Sequence, residues 1–326
     1  MQESAMQTEG AERTDVHGKI ESLVDNIEKI IFGKRDVIKL CVVGLLARGH
    51  ILIDDIPGIG KTTLAQGLAR SIDCEFNRIQ FTSDMLPADI IGVSILNPAT
   101  LQFEFRPGPI FSNVVLADEI NRTPPKTQSA LLEAMSEFHV TVDGKTRALP
   151  DPFIVLATQN PIEYEGTYIL PEAQLDRFLL RIEIGYPDVE DELRIVRRHD
   201  ALTALRELTP VLTAKEVLEL QAEARAIHVD ETVEKYILAI ITATRNHEDI
   251  RLGASPRGSL ALYEASQAHA MVDERDYVTP GDVKAIAIPV LSHRILTKPR
   301  GGNVISSVEE RKQIVTGILE SISIPV

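Results

Sequence analysis

Between the apolar run HILIDD (50–55) and a helical pattern that begins at Lys61 lies Pro57-Gly58-Ile59-Gly60-Lys61-Thr62-Thr63. A phosphate needs backbone N–H groups at close range, which glycine permits. It also needs the positive end of a helix, a lysine for the outer phosphates and a hydroxyl for a divalent cation. All four are present, with Lys61 as the cation and Thr62 as the hydroxyl, followed by Thr63. One position departs from GxxxxGK[ST]: Asp55 stands where the first glycine would be. Further on, Val114-Val115-Leu116-Ala117-Asp118-Glu119 is an apolar strand ending in two carboxylates. At a sheet edge beside phosphates, Asp118 can hold Mg²⁺ through water, and Glu119 can orient or deprotonate an attacking water.

Three further positions carry weaker signals. Asn160, in Ala157-Thr158-Gln159-Asn160-Pro161, can hold the lytic water or touch the γ-phosphate, or it can cap a turn before proline. Arg177 closes Pro171-Glu172-Ala173-Gln174-Leu175-Asp176-Arg177-Phe178. It can reach across to a neighbouring copy's γ-phosphate. The residues alone favour a surface ion pair with Asp176 or Glu172. Arg257, in Ala254-Ser255-Pro256-Arg257-Gly258, can read the γ-phosphate or be an ordinary first-turn residue. The helix dipole does not favour a cation at that end.

These residues need a sheet to position them. FNRIQF, VVLAD (114–118), FIVLAT (153–158) and FLLRIEI (178–184) follow HILIDD as strands, with helices between. Such alternation implies a mainly parallel sheet covered by helices. Ahead of it, helices are predicted from Val16 and from Arg35 to Ala47. Segments 95–107 and 138–150 each read as two short strands around a turn, the second with Asp143-Gly144 at its tip. After Pro187 strand signals stop. Amphipathic helices are predicted over 188–204, 214–227, 230–246, 257–272, 280–293 and 306–322. The chain therefore divides into a polar N-terminal tail (1–14), an α/β nucleotide-binding domain (15–204) and a helical lid (205–326).

The bulk composition limits the function classes. The hydrophobic share of 44% is enough for a core, and a net charge of −14 argues against a dedicated nucleic-acid binder. Cys41 and Cys74 lie outside any metal-spaced cluster, which predicts buried free thiols in a reducing cytosol. No apolar leader begins the chain and no apolar run is long enough to span a bilayer, so the expected location is cytoplasmic. HExxH, GxSxG and the guanine-reading Asn/Thr-Lys-x-Asp are absent, which leaves adenine as the expected base.

With the motifs in this order, the chain resembles the MoxR-type AAA+ ATPases over residues 15–320. ATQNPIEYEGTYILPEAQLDRFLLRI (157–182), DEINRTPPKTQSALLEAM (118–135) and GASPRGSLAL (253–262) carry the resemblance, and an acidic residue at position 55 fits it. Tyr168-Ile169-Leu170 differs slightly from the Tyr-Pro-Leu of the pattern. The resemblance implies a P-loop AAA+ parallel sheet flanked by helices, with a C-terminal all-α lid. It implies Walker A at Lys61, Thr62 and Thr63, Walker B at Asp118 and Glu119, sensor 1 at Asn160, the arginine finger at Arg177 and sensor 2 at Arg257. The lid being displaced in this clade, the resemblance leaves Arg257 to serve either its own nucleotide or that of a neighbouring copy. It further implies ATP and Mg²⁺, a homo-oligomer expected to be a hexamer, and chaperone-like work on a client or adaptor, often one with a von Willebrand factor A domain. Segment 95–107 resembles the helix-2 insert and 138–150 the pre-sensor hairpin. Both are candidate client contacts through Leu101, Phe103 and Phe105, unless these three pack the insert onto its own domain. The alternatives are a nucleic-acid translocase, the motor subunit of a metal chelatase and a scaffold that binds ATP without hydrolysing it.

Overall fold

A computed structural model describes residues 16–159, 168, 170–197, 201–298 and 308–325. The expected tail 1–14 and Asn160 lie outside them. The chain opens with helix α1 (16–28), α2 (Arg35–Leu46), β1 (Ile51–Asp54), α3 (Lys61–Ser71), β2 (Phe76–Gln80) and a short α4 (Pro87–Ile91). The hairpin β3 (Gly92–Asn97) and β4 (Gln102–Pro107) follows, then β5 (Val114–Asp118), a 3₁₀ turn at Ile120–Arg122 and α5 (Pro125–Glu137). A second hairpin, β6 (His139–Val142) and β7 (Lys145–Ala148), precedes β8 (Ile154–Gln159), α6 (Glu172–Leu175) and β9 (Leu180–Ile182).

Five of these strands form one parallel sheet in the order β2-β5-β8-β1-β9. Side chains alternate across a strand, so each central strand feeds two cores. Ile51 and Ile53 of β1, Val114 and Leu116 of β5, and Ile154 and Leu156 of β8 pack on the face that holds α1, α2 and α3. Leu52, Val115, Ala117, Val155 and Ala157 pack on the opposite face with Leu131, Leu132 and Met135 of α5. Because all five strands run the same way, every loop after a strand opens at one end of the sheet.

Both insertions are hairpins, as the sequence predicts. At the β6–β7 tip Asp143 and Gly144 have φ of 52° and 73°, the two positive values a type I′ turn requires. The first hairpin begins at Gly92 rather than at residue 95. A Cβ there would lie 2.3 Å from the Arg106 carbonyl, so only glycine lets the strands close. Leu101 and Phe103 are 77% and 74% exposed, while Phe105 is half-buried against Phe111 and under the Arg147 guanidinium. The packing alternative therefore holds for Phe105 and not for the other two.

After β9 come α7 (Val189–Arg197), α8 (Ala201–Glu207), α9 (Ala214–Ala226), α10 (Glu231–Asn246), β10 (Ile250–Leu252), α11 (Pro256–Val272), α12 (Pro280–Leu291), β11 (Leu296–Thr297) and α13 (Val308–Ser321). Thr279 caps α12 reciprocally with Asp282, and Thr213 caps α9 with Glu216. Three findings differ from expectation. Helix α8 runs to Glu207, past the expected end at 204. The lid carries a two-stranded antiparallel pair, β10 with β11, beside its helices. Both cysteines are free, but Cys74 is only half-buried. None of the described helices is long and apolar enough to cross a membrane.

Candidate nucleotide site

The glycine loop runs from the end of β1 into α3. Gly58 and Gly60 have φ of 88° and 96°, where an L side chain is strained, and a Cβ on Gly58 would meet nothing within 4 Å. The loop therefore faces open space. Gly60 caps α3 without a side-chain partner, so the first-turn N–H groups of α3 are presented outward, a ready anion site. Lys61 Nζ donates to the carbonyls of Asp55 and Ile56 at 2.8 and 3.2 Å, folded back over the loop whose phosphates it would bind.

Asp55 points the other way. Its carboxylate accepts from Ile184 N at 2.7 Å and Gly185 N at 2.8 Å, just beyond β9, and from Ile56 N at 3.0 Å. Buried at 9% exposure, it ties the start of the loop to the edge strand of the sheet. The motif position usually given to glycine is here a structural clamp.

Two strands away from β1, Asp118 and Glu119 end β5. Thr158, fully buried on β8, joins them: its hydroxyl donates to Asp118 Oδ1 at 2.5 Å and accepts from Glu119 N at 2.9 Å. Glu119 adopts left-handed backbone angles (φ 58°, ψ 47°), an uncommon state for a side-chain-bearing residue that turns its carboxylate out of the strand line. That carboxylate accepts from Gln80 Nε2 at 2.7 Å and lies 3.1 Å from Arg122 Nε. Asp118 Oδ2 accepts from Arg78 Nη2 at 2.6 Å and Nε at 3.2 Å. Thr158, Arg78 and Gln80 were not singled out in the sequence. Gln80 and Thr158 stand at or next to the ends of their strands, a signal that could have found them; Arg78, in the middle of β2, offers none.

Mg²⁺ takes hard oxygen donors and keeps several waters. A carboxylate at Asp118, a hydroxyl at Thr62 and a phosphate-binding loop between them fit that demand. Asp118 already faces a cationic group, Arg78, so its surroundings accommodate positive charge. Elsewhere among the described residues, His269, Asp273 and Asp282 come close enough to share an ion. There Arg275 Nη2 sits 2.6 Å from Asp282 Oδ1, and His269 Nδ1 lies 2.7 Å from the same atom. Arg275 supplies the positive charge, and the network braces α11 against α12.

A wall beside the loop escaped sequence reasoning. Ile31 Cδ1 lies 3.5 Å from where a Gly60 Cβ would be, and a Cβ on Gly33 would overlap the Asp191 carboxylate. Lys34 Nζ donates to the Tyr186 carbonyl at 2.7 Å, and Arg194 stacks over Phe32 at 4.7 Å. The turn between α1 and α2 thus closes onto α7 next to the P-loop.

Arg177 and Arg257 lie at the other end of the sheet. Arg177 precedes β9, where Leu179 N donates to the His50 carbonyl before β1, whereas the glycine loop follows β1. Strands of this length put about 10–15 Å between the two ends. Arg177 Nη1 donates to Leu132 O at 2.7 Å and Ser136 Oγ at 2.8 Å, on the last turn of α5. Neither Asp176 nor Glu172 is its partner. Exposed Arg257, on the first turn of α11, lines the same cleft of about 200 Å³ as Arg177, Asp176, Ser136, His50 and Arg294. The structure therefore brings Lys61, Thr62, Asp118 and Glu119 together at one end and Arg177 with Arg257 at the other.

This sheet order, glycine loop and paired carboxylates define a P-loop AAA+ module. The model of the ATPase family associated with various cellular activities (AAA) matches residues 50–180, and an AAA lid domain matches 242–315. The chain is 48% identical over 316 residues to the uncharacterized protein YeaC of Bacillus subtilis, covering 97% of this chain and 98% of that one. It is 39% identical over 321 residues to chaperone MoxR1 of Mycobacterium tuberculosis, covering 95% and 83%. A solved structure from Cytophaga hutchinsonii, provisionally named an ATPase, superposes with a TM-score of 0.90 at 38% identity over 99% of each chain. The chain belongs to the MoxR family of AAA+ ATPases.

Proposed function

We propose that this protein hydrolyses ATP to ADP and phosphate at sites shared between head-to-tail copies, and uses the stroke to remodel partner proteins. One observation carries the reading: the phosphate loop and acidic pair occupy one end of the sheet, and the two candidate γ-phosphate arginines occupy the opposite end. No single copy can bring both to one nucleotide.

In this mechanism the backbone N–H groups of Gly58–Thr63 and the Lys61 ammonium hold the phosphates, and Pro57, which has no N–H, shapes the start of the loop. Thr62 and Asp118 hold Mg²⁺, which neutralises charge on the phosphate oxygens when bound. Glu119 takes the proton of the attacking water, and Asn160, next after β8, orients that water. Arg177 and Arg257 come from the adjoining copy and stabilise transition-state charge. The chaperone name of the mycobacterial relative supports work on a client or adaptor, and a von Willebrand factor A domain is the partner we favour. We expect six copies, a cytoplasmic location consistent with the free thiols, and no nucleic-acid substrate. We divide the chain into the α/β domain and the lid in the turn after α8, a few residues beyond position 204.

The test is Arg177→Ala. It should bind ATP as the parent does and lose on the order of 10³-fold or more in turnover, the usual range for an arginine finger. Turnover like the parent's would refute the shared site. Pull-down with Glu119→Gln in ATP identifies the client.

A further inference from the structure

We propose that Asp176 is a latch that fixes Arg177 and Arg257 as one unit, with Ser255 and Arg294 as its two catches; the inference rests on the shared-site reading above. Asp176 precedes Arg177 in the chain and Ser255 lies two residues before Arg257. Ser255 Oγ donates to Asp176 Oδ2 at 3.1 Å, and Arg294 Nε donates to Asp176 Oδ1 at 2.9 Å. One carboxylate therefore grips the start of α11 and the turn that follows α12 at the same time, from the turn that carries the finger.

Arg294 makes the latch stiff. Its side chain is 2% exposed, and it donates to Leu179 O at 3.0 Å, Phe178 O at 2.6 Å and the Val290 carbonyl. Burial lowers it to about 10, opposed by Asp176, so it keeps its charge at neutral pH. A buried cation with one carboxylate partner and three carbonyls leaves the 176–179 backbone little freedom. Arg177, bonded to Leu132 and Ser136 of α5, is then held from both sides. A group meant for a transition state must be placed within a fraction of an ångström, and a misplacement of about 1 Å can cost 10²-fold in rate. Asp176, Ser255 and Arg294 touch no phosphate in this picture; they are positioning residues.

The experiment uses the full chain. Asp176→Asn removes the anion but strands buried Arg294, so it can fail through folding alone. Ser255→Asp is the second variant: it keeps a cap oxygen for Gly258 N, which Ser255 now serves at 3.4 Å, and sets a carboxylate against Asp176. Ser255→Asp should melt within a few degrees of the parent, keep KM for ATP within about twofold and lose about tenfold or more in kcat. Ser255→Thr, which retains the hydroxyl, should restore kcat. Mixing Ser255→Asp with Glu119→Gln copies should give more turnover than the two alone add up to, because Glu119→Gln copies present intact arginines to intact P-loops. Arg177→Ala mixed with Glu119→Gln is the control. If the control recovers and Ser255→Asp does not, or if Ser255→Asp keeps the parent's kcat, the latch is wrong. If the control itself fails to recover, the shared site is wrong and the latch falls with it.

Discussion

Asp55→Ala separates a clamp from a ligand. In the structure the carboxylate accepts three backbone N–H groups, two of them 129 and 130 residues away, and it is nearly buried. A hydrogen bond to a charged group contributes about 1.5–3 kcal/mol, and an unpaired buried donor costs about 1–3 kcal/mol. Ile184 is buried, but Gly185 is reachable by water, so one amide is stranded and the other resolvated. The loss should be about 2–4 kcal/mol. For a domain of this size each kcal/mol moves Tm by roughly 2–4 °C, which gives a fall of about 5–15 °C. Asp55→Asn, with one acceptor oxygen kept, should lose about half as much. Asp55→Gly, although it restores the common motif, should lose as much as alanine. Urea unfolding and ATP KM are measured together, KM well below the new Tm. The clamp predicts lower stability with KM within about threefold. Unchanged stability with KM raised by orders of magnitude would show that Asp55 serves the nucleotide instead.

Two more predictions follow from buried polar groups. His50 accepts from Val155 N at 3.0 Å and its Nε2 lies 2.8 Å from Met135 O; burial pushes it down to about 4. The unfolded chain then binds the proton first as pH falls below about 6.5, so the contribution of His50 to stability should drop between there and pH 4 by about 3 kcal/mol and level off below. Denaturant midpoints across that window should flatten in His50→Gln, while His293, held neutral by burial beside Arg294, leaves a residual slope. Thr158→Val should leave Glu119 N without its partner and Asp118 Oδ1 without its donor, while Arg78 keeps its hold on Oδ2. Turnover should fall about 10²-fold with little change in KM, since oriented groups rather than binding are lost; equal turnover would remove Thr158 from the site.

What the sequence made legible follows from burial. Central strands of a parallel sheet are apolar on both faces, so their polar residues concentrate at the ends. ILID and VVLAD therefore announce both the strand and its exit at Asp54 and Asp118. The Asp143-Gly144 tip is legible because few dipeptides tolerate two positive φ angles. Pairings across long sequence gaps were not legible. Nothing local at Asp55 names Ile184, and nothing at Arg78 names Asp118. The β10–β11 pair is too short for any period to show, with three residues facing two. Arg177 had two charged neighbours in sequence, yet the helix end it meets belongs to α5, which only the folded sheet brings near.

The separation of the two arginines from the phosphate loop has a consequence for symmetry. A two-fold dimer buries the same patch on both copies, and a single partner cannot cover both ends of one rigid sheet. On the proposed mechanism the contact must be heterologous, donor face to acceptor face. Such a contact either closes on itself or grows without limit, and an open chain always leaves one incomplete pocket at its terminus. A copy without its arginines would then silence the pocket of the molecule beside it while its own stays competent.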